Sequence, residues 1–540
     1  MSGCKPLLIF KTNLKISKLP MINDKINTIK KIIQQTIKET LSQPLDRLTI
    51  TVLAVVSVLI IMLLWNGSHT APRVRDFTWQ DKQIGADDIS FILTFSRPMN
   101  RASVEENLKI EPILPGKFSW SGRRMSYRLL SPAPYGMSYQ IKLEGAKDRF
   151  SSEEKEPVTI QPFKSKFRSR DQAFVYLGIQ GEEKGRLILV NLSEQKPIPV
   201  VLTPKDLMVM DFKIYPEGDR ILFSAIDRSD RNTNFLDQEL YTVTTGINPD
   251  SPIDLQNPET ETPKKQPAGK INKILDSKEY QNLQFDLSAN GKIIIVQRVN
   301  KRNPGGDFGL WQITAGGKPQ PLKNQPGGEF LITPDSNSIA IAQGQGIAIL
   351  PLTPEAEPLD YLAKFGRVIA FTKDNSTAAM VKFNTDYTRS LFLVNNQGVE
   401  KEILKTTGSI ISAQFDPLNQ NLYCLLTQLI KGKNYQEQPF LAVIDLKSGK
   451  LTPLVVLPNQ RDIQISLSPD GLAILFDQLI TQPPLPTTPL EAPRTSDGRI
   501  ITSSSLWLLP LTIPTPEDTT KLQPEQLPPE LAGFRPKWLP

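Results

Sequence analysis

Apolar residues along this chain recur in three rhythms. From Leu48 to Trp65, eighteen residues (LTITVLAVVSVLIIMLLW) carry no charge. As a helix at 1.5 Å per residue that run measures about 27 Å, close to the thickness of a hydrocarbon core. Ahead of it, Ile22, Ile26, Ile29, Ile33, Ile37 and Leu41 fall at spacings of three and four, with Lys25, Lys30, Lys31 and Lys38 between them. That spacing predicts an amphipathic helix over 22–41. Beyond Pro72 the period becomes two, in DISFILTF (88–95), LKIEPIL, KFSW, MSYRLL, MSYQIKLEG and EPVTIQPF, with Pro98, Gly116, Gly122, Pro134 and Gly136 at the turns. Six or so short strands in this stretch predict a small antiparallel sandwich.

From residue 170 onward one phrase repeats: an apolar residue, a tight turn, then a buried strand. It reads FKIYPEGDRILFSA, FDLSANGKIIIVQ, FLITPDSNSIAIAQ, IAFTKDNSTAAMVK, FDPLNQNLYCLLTQ and ISLSPDGLAILFDQ, with a truncated seventh copy, FRPKWLP, at 534–540. The turn positions 216, 289, 334, 373, 417, 469 and 536 are separated by steps of 73, 45, 39, 44, 52 and 67 residues. Four of the six steps match the usual length of a propeller blade. The two long ones contain Pro-rich stretches, 247–270 and 480–530, that are expected to be insert loops. In Pro469-Asp470-Gly471 the turn has a fixed φ, a side chain that caps the backbone and a residue tolerant of positive φ. Second and third strands follow each phrase (ELYTVTT, GLWQITAG, SLFLVNNQG, FLAVIDLKSG, SLWLLPL), which predicts four-stranded blades. Residues 173–203 look like the outer strands of a blade without its inner phrase, and FRPKWLP like an inner phrase without outer strands. Joined, they would close a propeller of seven blades, six or eight being the alternatives.

The words LTFSRPMNRASVEENLKI, PGKFSWSG and APYGMSYQIKLEGAKD over about 72–163 resemble the bacterial Ig-like domain of surface-layer and other envelope proteins. That resemblance implies a spacer or adhesive module without catalytic residues, in which Phe95, Phe118, Trp120 and Tyr139 are core or corner residues. The S-P-D-G turns over about 173–540 resemble the TolB and WD40-like propeller repeats and the propellers that precede prolyl-oligopeptidase hydrolase domains. The expected fold is thus mainly β: one N-terminal transmembrane helix, an Ig-like β-sandwich, then a β-propeller.

Charge adds an address. Residues 1–47 hold eight Lys and one Arg against three acids, net +6, whereas the remaining 493 residues carry only +1. A basic tail directly before the most apolar segment is a topogenic signal and not the basic face of a nucleic-acid-binding domain. By the positive-inside bias the N-terminus is cytoplasmic, 48–65 spans the cytoplasmic membrane, and the bulk of the chain is periplasmic or otherwise extracytoplasmic. A cleaved signal peptide fits less well, since its n-region would run to 47 residues and its apolar core exceeds the usual length. The helix at 22–41 would lie on the anionic inner leaflet or self-associate.

Candidate chemistry is sparse. His69 is the one histidine in 540 residues, so His-dependent hydrolase and His-ligated metal sites cannot be assembled. Cys4 and Cys424 are the two cysteines, and this topology separates them; Cys424, in LYCLL, reads as a buried small hydrophobe. Asp227, Asp230, Asn232 and Asn234 offer oxygens for calcium, but their spacing matches no EF-hand loop, so a solvated turn is expected. The pairs Gly305-Gly306, Gly316-Gly317 and Gly327-Gly328 read as turn glycines at blade edges. No catalytic, cofactor or metal residue is assigned. The expected function is a membrane-anchored envelope binding or scaffolding protein presenting its propeller to a protein or glycan. The alternative is a glycan-active propeller enzyme using paired carboxylates.

Overall fold

The computed structural model describes residues 44–67, 71–149, 158–194, 196–229, 234–247, 266–322, 327–344, 346–352, 360–430, 432, 435–460, 462–484, 492–495, 498–511 and 522–540. It divides into two units, 1–71 and 72–540. In the first, the helix Pro44–Gly67 runs 24 residues, about 36 Å, and so extends past both ends of the expected 48–65. Its apolar side chains from Leu48 to Met62 are exposed all round, Leu48 at 66% and Met62 at 61%. Among the described residues no helix is long and apolar enough to cross a membrane; the described side chains of this one stop at Met62. The segment 22–41, Cys4 and His69 lie outside the described residues.

The second unit opens with two four-stranded sheets. One orders Val74–Phe77, Ser90–Phe95, Arg124–Leu129 and Gly116–Ser121; the other orders Gln83–Ile84, Phe163–Ser169, Ser138–Leu143 and Leu108–Glu111. Their facing residues share one core, in which Trp79 lies 5.1 Å from Phe91 and 5.2 Å from Phe167, ring centre to ring centre. Phe95 and Tyr139 are buried, and Phe118 and Trp120 pack on the same core at its edge. Three elements depart from the sequence reading. The strand expected in EPVTIQPF begins only at Phe163 and continues to Ser169. The alternation misses the two short strands Val74–Phe77 and Gln83–Ile84. A helix, Arg101–Asn107, interrupts the run after Met99, because Asn100 accepts the Ser103 N–H and caps its first turn.

Seven four-stranded sheets follow. Six begin with the repeated phrase, and all six turns share one geometry. The fourth turn residue donates its N–H to the carbonyl of the first at 2.8–3.0 Å, in Gly218, Gly291, Ser336, Asn375, Asn419 and Gly471. Each of those residues has positive φ, from 54° to 75°, which explains why only Gly, Asn or Ser stands there. In five of the six, a side chain at the first position (Ser288, Thr333, Thr372, Asp416, Ser468) also accepts the N–H five residues on. The turn therefore caps itself before any packing is added. Cys424 sits fully buried in the second strand of the fifth sheet, and burial pushes its thiol up to about 12.

The insert expected over 480–530 is shorter than its composition suggests. Strand Ala473–Gln482 pairs with Ile500–Pro510 from Ala473 opposite Pro510 to Gln482 opposite Ile500, and Glu525–Gln526 adds the outer strand. The prolines fall outside the ladder or at its last residue, and the strand expected at SLWLLPL begins earlier, at Ile500. Of the 247–270 insert, 248–265 lie outside the described residues.

The seventh sheet is composite, ordered Val200–Val201, Leu187–Asn191, Ala173–Gly178 and Gly533–Trp538. Gly533 pairs with Gly178 and Trp538 with Phe174. A Cβ on Gly533 would lie 2.1 Å from the Tyr176 ring and 2.6 Å from the Leu177 carbonyl, so the strand docks only because that position is bare. Gly533→Ala is expected to lower unfolding stability by about 1–3 kcal/mol through overpacking, read as a lower urea midpoint. Gly398→Ala, at a turn with open space, should lose only about 1 kcal/mol from its positive φ.

Candidate functional site

Neighbouring inner strands are tied by side chains. Arg535 Nη1 and Lys537 Nζ donate to the Met210 and Phe212 carbonyls at 2.6 and 2.7 Å, joining the seventh sheet to the first. Lys213 on the first pairs with Asp286 Oδ1 on the second at 2.8 Å, while Asp286 Oδ2 accepts the Ile332 N–H of the third. Glu329, preceding the third inner strand, pairs with Arg367 of the fourth at 2.9 Å. Ala370 and Ala413 share an apolar cluster between the fourth and fifth. Gln414 bridges the fifth to both the Ile465 carbonyl and the Leu467 N–H of the sixth, and Ser466 accepts the Trp538 N–H of the seventh. The circuit of ties thus returns to its start.

Asp211, Lys213 and Arg535 keep side-chain exposures of 44%, 31% and 22% although the inner strands lie deep in the unit. These charged groups stand together on the inner strands of the first and seventh sheets. Burial alone would raise the Asp211 carboxyl, but Lys537, Arg535 and Lys213 outweigh it and hold that carboxyl below its usual value. Burial depresses Lys537 to about 8, with Asp211 opposing and the neighbouring cations Lys213 and Arg535 adding. Lys213 is raised despite burial, because Asp286 and Asp211 face it.

Asp477 behaves differently. It is fully buried, and burial pushes its carboxyl up to about 7 against the two N–H groups it accepts. Those donors are Gln464 and Arg535, each at 2.8 Å. Arg535 is a non-glycine residue at φ +53°, and Asp477 pins that strained position. Asp477 has no exposed surface to offer a substrate.

One end of the seven sheets carries the repeated turns, and the sandwich reaches three of them. The Tyr135 N–H donates to Asp470 Oδ2 at 3.0 Å, on the sixth-sheet turn, while Oδ1 of the same carboxylate caps the turn at Leu472. Asp87 pairs with Lys373 on the fourth-sheet turn at 2.5 Å, and Arg170 meets Glu217 on the first-sheet turn and the Pro540 carbonyl. The turn end is therefore the sandwich's docking surface, and the opposite end is free of these contacts.

Other sequence candidates do not join these inner-strand groups. Asp227 accepts from Ser229 and Asn234 from Leu236, both local turn bonds; Asp230 and Asn232 lie outside the described residues. Among the described residues no three His, Cys, Asp or Glu side chains cluster as a metal site would need. The glycine pairs at 305–306 and 316–317 fall in strand-to-strand turns, and 327–328 precede the inner strand Phe330–Ile332. Sequence reading missed Lys213, Asp286, Arg535 and Lys537. Their signal was present in F-K-I, F-D-L and F-R-P-K-W, where charge interrupts an otherwise apolar inner phrase.

These seven four-stranded sheets, tied one to the next and the last back to the first, define a β-propeller protein. Among solved structures it is similar to oligogalacturonate lyase from Vibrio parahaemolyticus (11% identity, 57% of this chain and 87% of that one, TM-score 0.37). It is likewise similar to TolB from Acinetobacter baumannii (10%, 80% and 83%, TM-score 0.35) and to a putative 6-phosphogluconolactonase from Bacteroides fragilis (13%, 68% and 97%, TM-score 0.39). No family model and no curated protein matches the chain.

Three predictions come from this geometry. Asp477 keeps its proton in the folded chain up to about pH 7, whereas unfolded it ionises near 4. Its stabilising contribution is full below about pH 4 and is lost as pH rises to about 7, on the order of 4 kcal/mol in all. Asp477→Asn should flatten that slope in urea titrations between pH 4.5 and 8, and should be least stable relative to the parent at the acid end. Asp470→Ala should cost about 1–3 kcal/mol, because it strands the Tyr135 N–H, and should speed limited proteolysis around residue 170. Lys373→Ala, which breaks an exposed pair, should change stability by less than about 1 kcal/mol.

Proposed function

We propose that this chain is a membrane-anchored binding or scaffolding protein of a bacterial cell envelope, with its propeller outside the cytoplasmic membrane. The carrying observation is the docking of the sandwich on the turn end through Tyr135, Asp87 and Arg170, which commits one end of the propeller to the chain's own sandwich. Recognition is thereby assigned to the opposite end. The sandwich, read as the Ig-like spacer its sequence resembles, stands between anchor and propeller in chain order. The basic tail and the uncharged run 48–65 support the anchor and its orientation. The charged inner-strand groups favour binding over catalysis: Asp286 is engaged at both oxygens, and the surrounding cations hold the Asp211 carboxyl below its usual value. A glycosidase requires a carboxylic acid that keeps its proton and reaches the ligand.

Protease protection in sealed vesicles tests the address. In right-side-out spheroplasts, added protease should degrade 72–540 and spare the tail. In inverted vesicles the same segment should survive. Digestion of 72–540 from the cytoplasmic side would overturn the reading.

A further inference from the structure

At the end away from the turns, a cavity of about 390 Å³ opens between the sixth and seventh sheets. Its walls are the outer halves of Ala473–Gln482 and Ile500–Pro510, the residue Gln180 beyond the strand Ala173–Gly178, and the segments around Pro458 and Pro528. In a chain with 22% charged residues, none of its fifteen lining residues is charged and none is aromatic. Four are glutamines and three are serines.

The polar groups divide into two sets. Gln460 is spent on the fold, its oxygen accepting the Leu479 N–H at 2.7 Å and its amide donating to the Asp477 carbonyl. Ser504 is spent likewise, donating to the Gly533 carbonyl. By contrast, Gln180, Gln478, Gln526 and Ser503 carry no side-chain hydrogen bond to the protein among the described residues, and Gln180, Gln526 and Ser503 stand exposed at the rim. Ser505 accepts the Trp507 indole N–H and retains its own proton to donate.

We infer that this cavity binds a neutral saccharide. Amides and hydroxyls both donate and accept, as sugar hydroxyls do, so each can meet the ligand in either sense. A phosphate or carboxylate ligand would be desolvated here with no counter-charge. An extended peptide would need free backbone groups, but residues 478–480 and 503–505 already pair with each other in the ladder. Pro458, Pro528, Pro529 and Ile480, the last 63% exposed, offer apolar surface to the C–H faces of a sugar ring. The choice of this end rests on the function proposed above; the lining chemistry does not.

The test uses the full chain in a detergent without a sugar headgroup, with cellobiose, chitobiose and maltose as probes. Digalacturonate and a neutral pentapeptide serve as comparisons. Calorimetry should show at least one neutral disaccharide binding with a dissociation constant of roughly 10 µM to 1 mM. The double variant Gln180→Ala, Gln478→Ala should weaken that binding at least about tenfold and leave the melting temperature unchanged, since neither side chain bonds the protein. The inference is overturned if no neutral disaccharide saturates by about 10 mM, if the double variant binds like the parent, or if digalacturonate or the peptide binds more tightly than all three sugars. Saccharide binding by a propeller that vesicle experiments place in the cytoplasm would keep the site and remove the envelope function; an outside location without binding would do the reverse.

Discussion

The second unit depends on one strand pairing, that of Gly533–Trp538 with Ala173–Gly178. A ring of radially placed sheets has no backbone ladder between neighbours, so it gains cooperativity from side-chain ties and from whatever joins its two ends. Here the joining strand supplies the fourth member of a sheet. It also sends Arg535 and Lys537 to the first inner strand and receives Asp477 from the sixth. Few residues therefore set the geometry of three adjacent sheets.

The same economy explains why the inner strands carry charge. Carbonyls at Met210 and Phe212 face the axis with no strand beside them, and a buried acceptor left unpaired is expensive. Long cationic side chains satisfy them, and Asp211 and Asp286 offset the cations so introduced. The depressed Lys537 and the raised Asp477 are costs of that arrangement, borne where the last strand locks.

Much of the architecture was legible in the sequence because the inner turn is a local device. Ser468, Asp470 and Gly471 specify it from within six residues, and degenerate copies such as Lys373-Asp374-Asn375 keep the one essential property, a residue that accepts positive φ. The split of the seventh sheet was legible for the same reason, an inner phrase and three outer strands being separately incomplete. What was not legible depends on distant partners. Nothing near Asp470 says that its second oxygen meets Tyr135, 335 residues away in sequence. SLWLLPL read as a strand, but its start at Ile500 did not, because the pairing that lengthens it lies across the hairpin. The uncharged cavity was invisible too, since Gln180, Gln478 and Gln526 converge only after the last sheet is assembled.

The composite sheet also sets a waiting time during synthesis. Its three N-terminal strands end at Val201, and their completing strand begins at Gly533, 332 residues later. At roughly 5–20 residues per second that interval is on the order of tens of seconds. All six residues of Ala173–Gly178 are buried in the finished sheet, so until then an apolar strand edge stands open, the kind of edge that captures strands from other chains. The newborn protein thus carries an open apolar edge at the place where its last strand later docks. A holdase bound to residues 173–201 during translation would shield that edge for the interval.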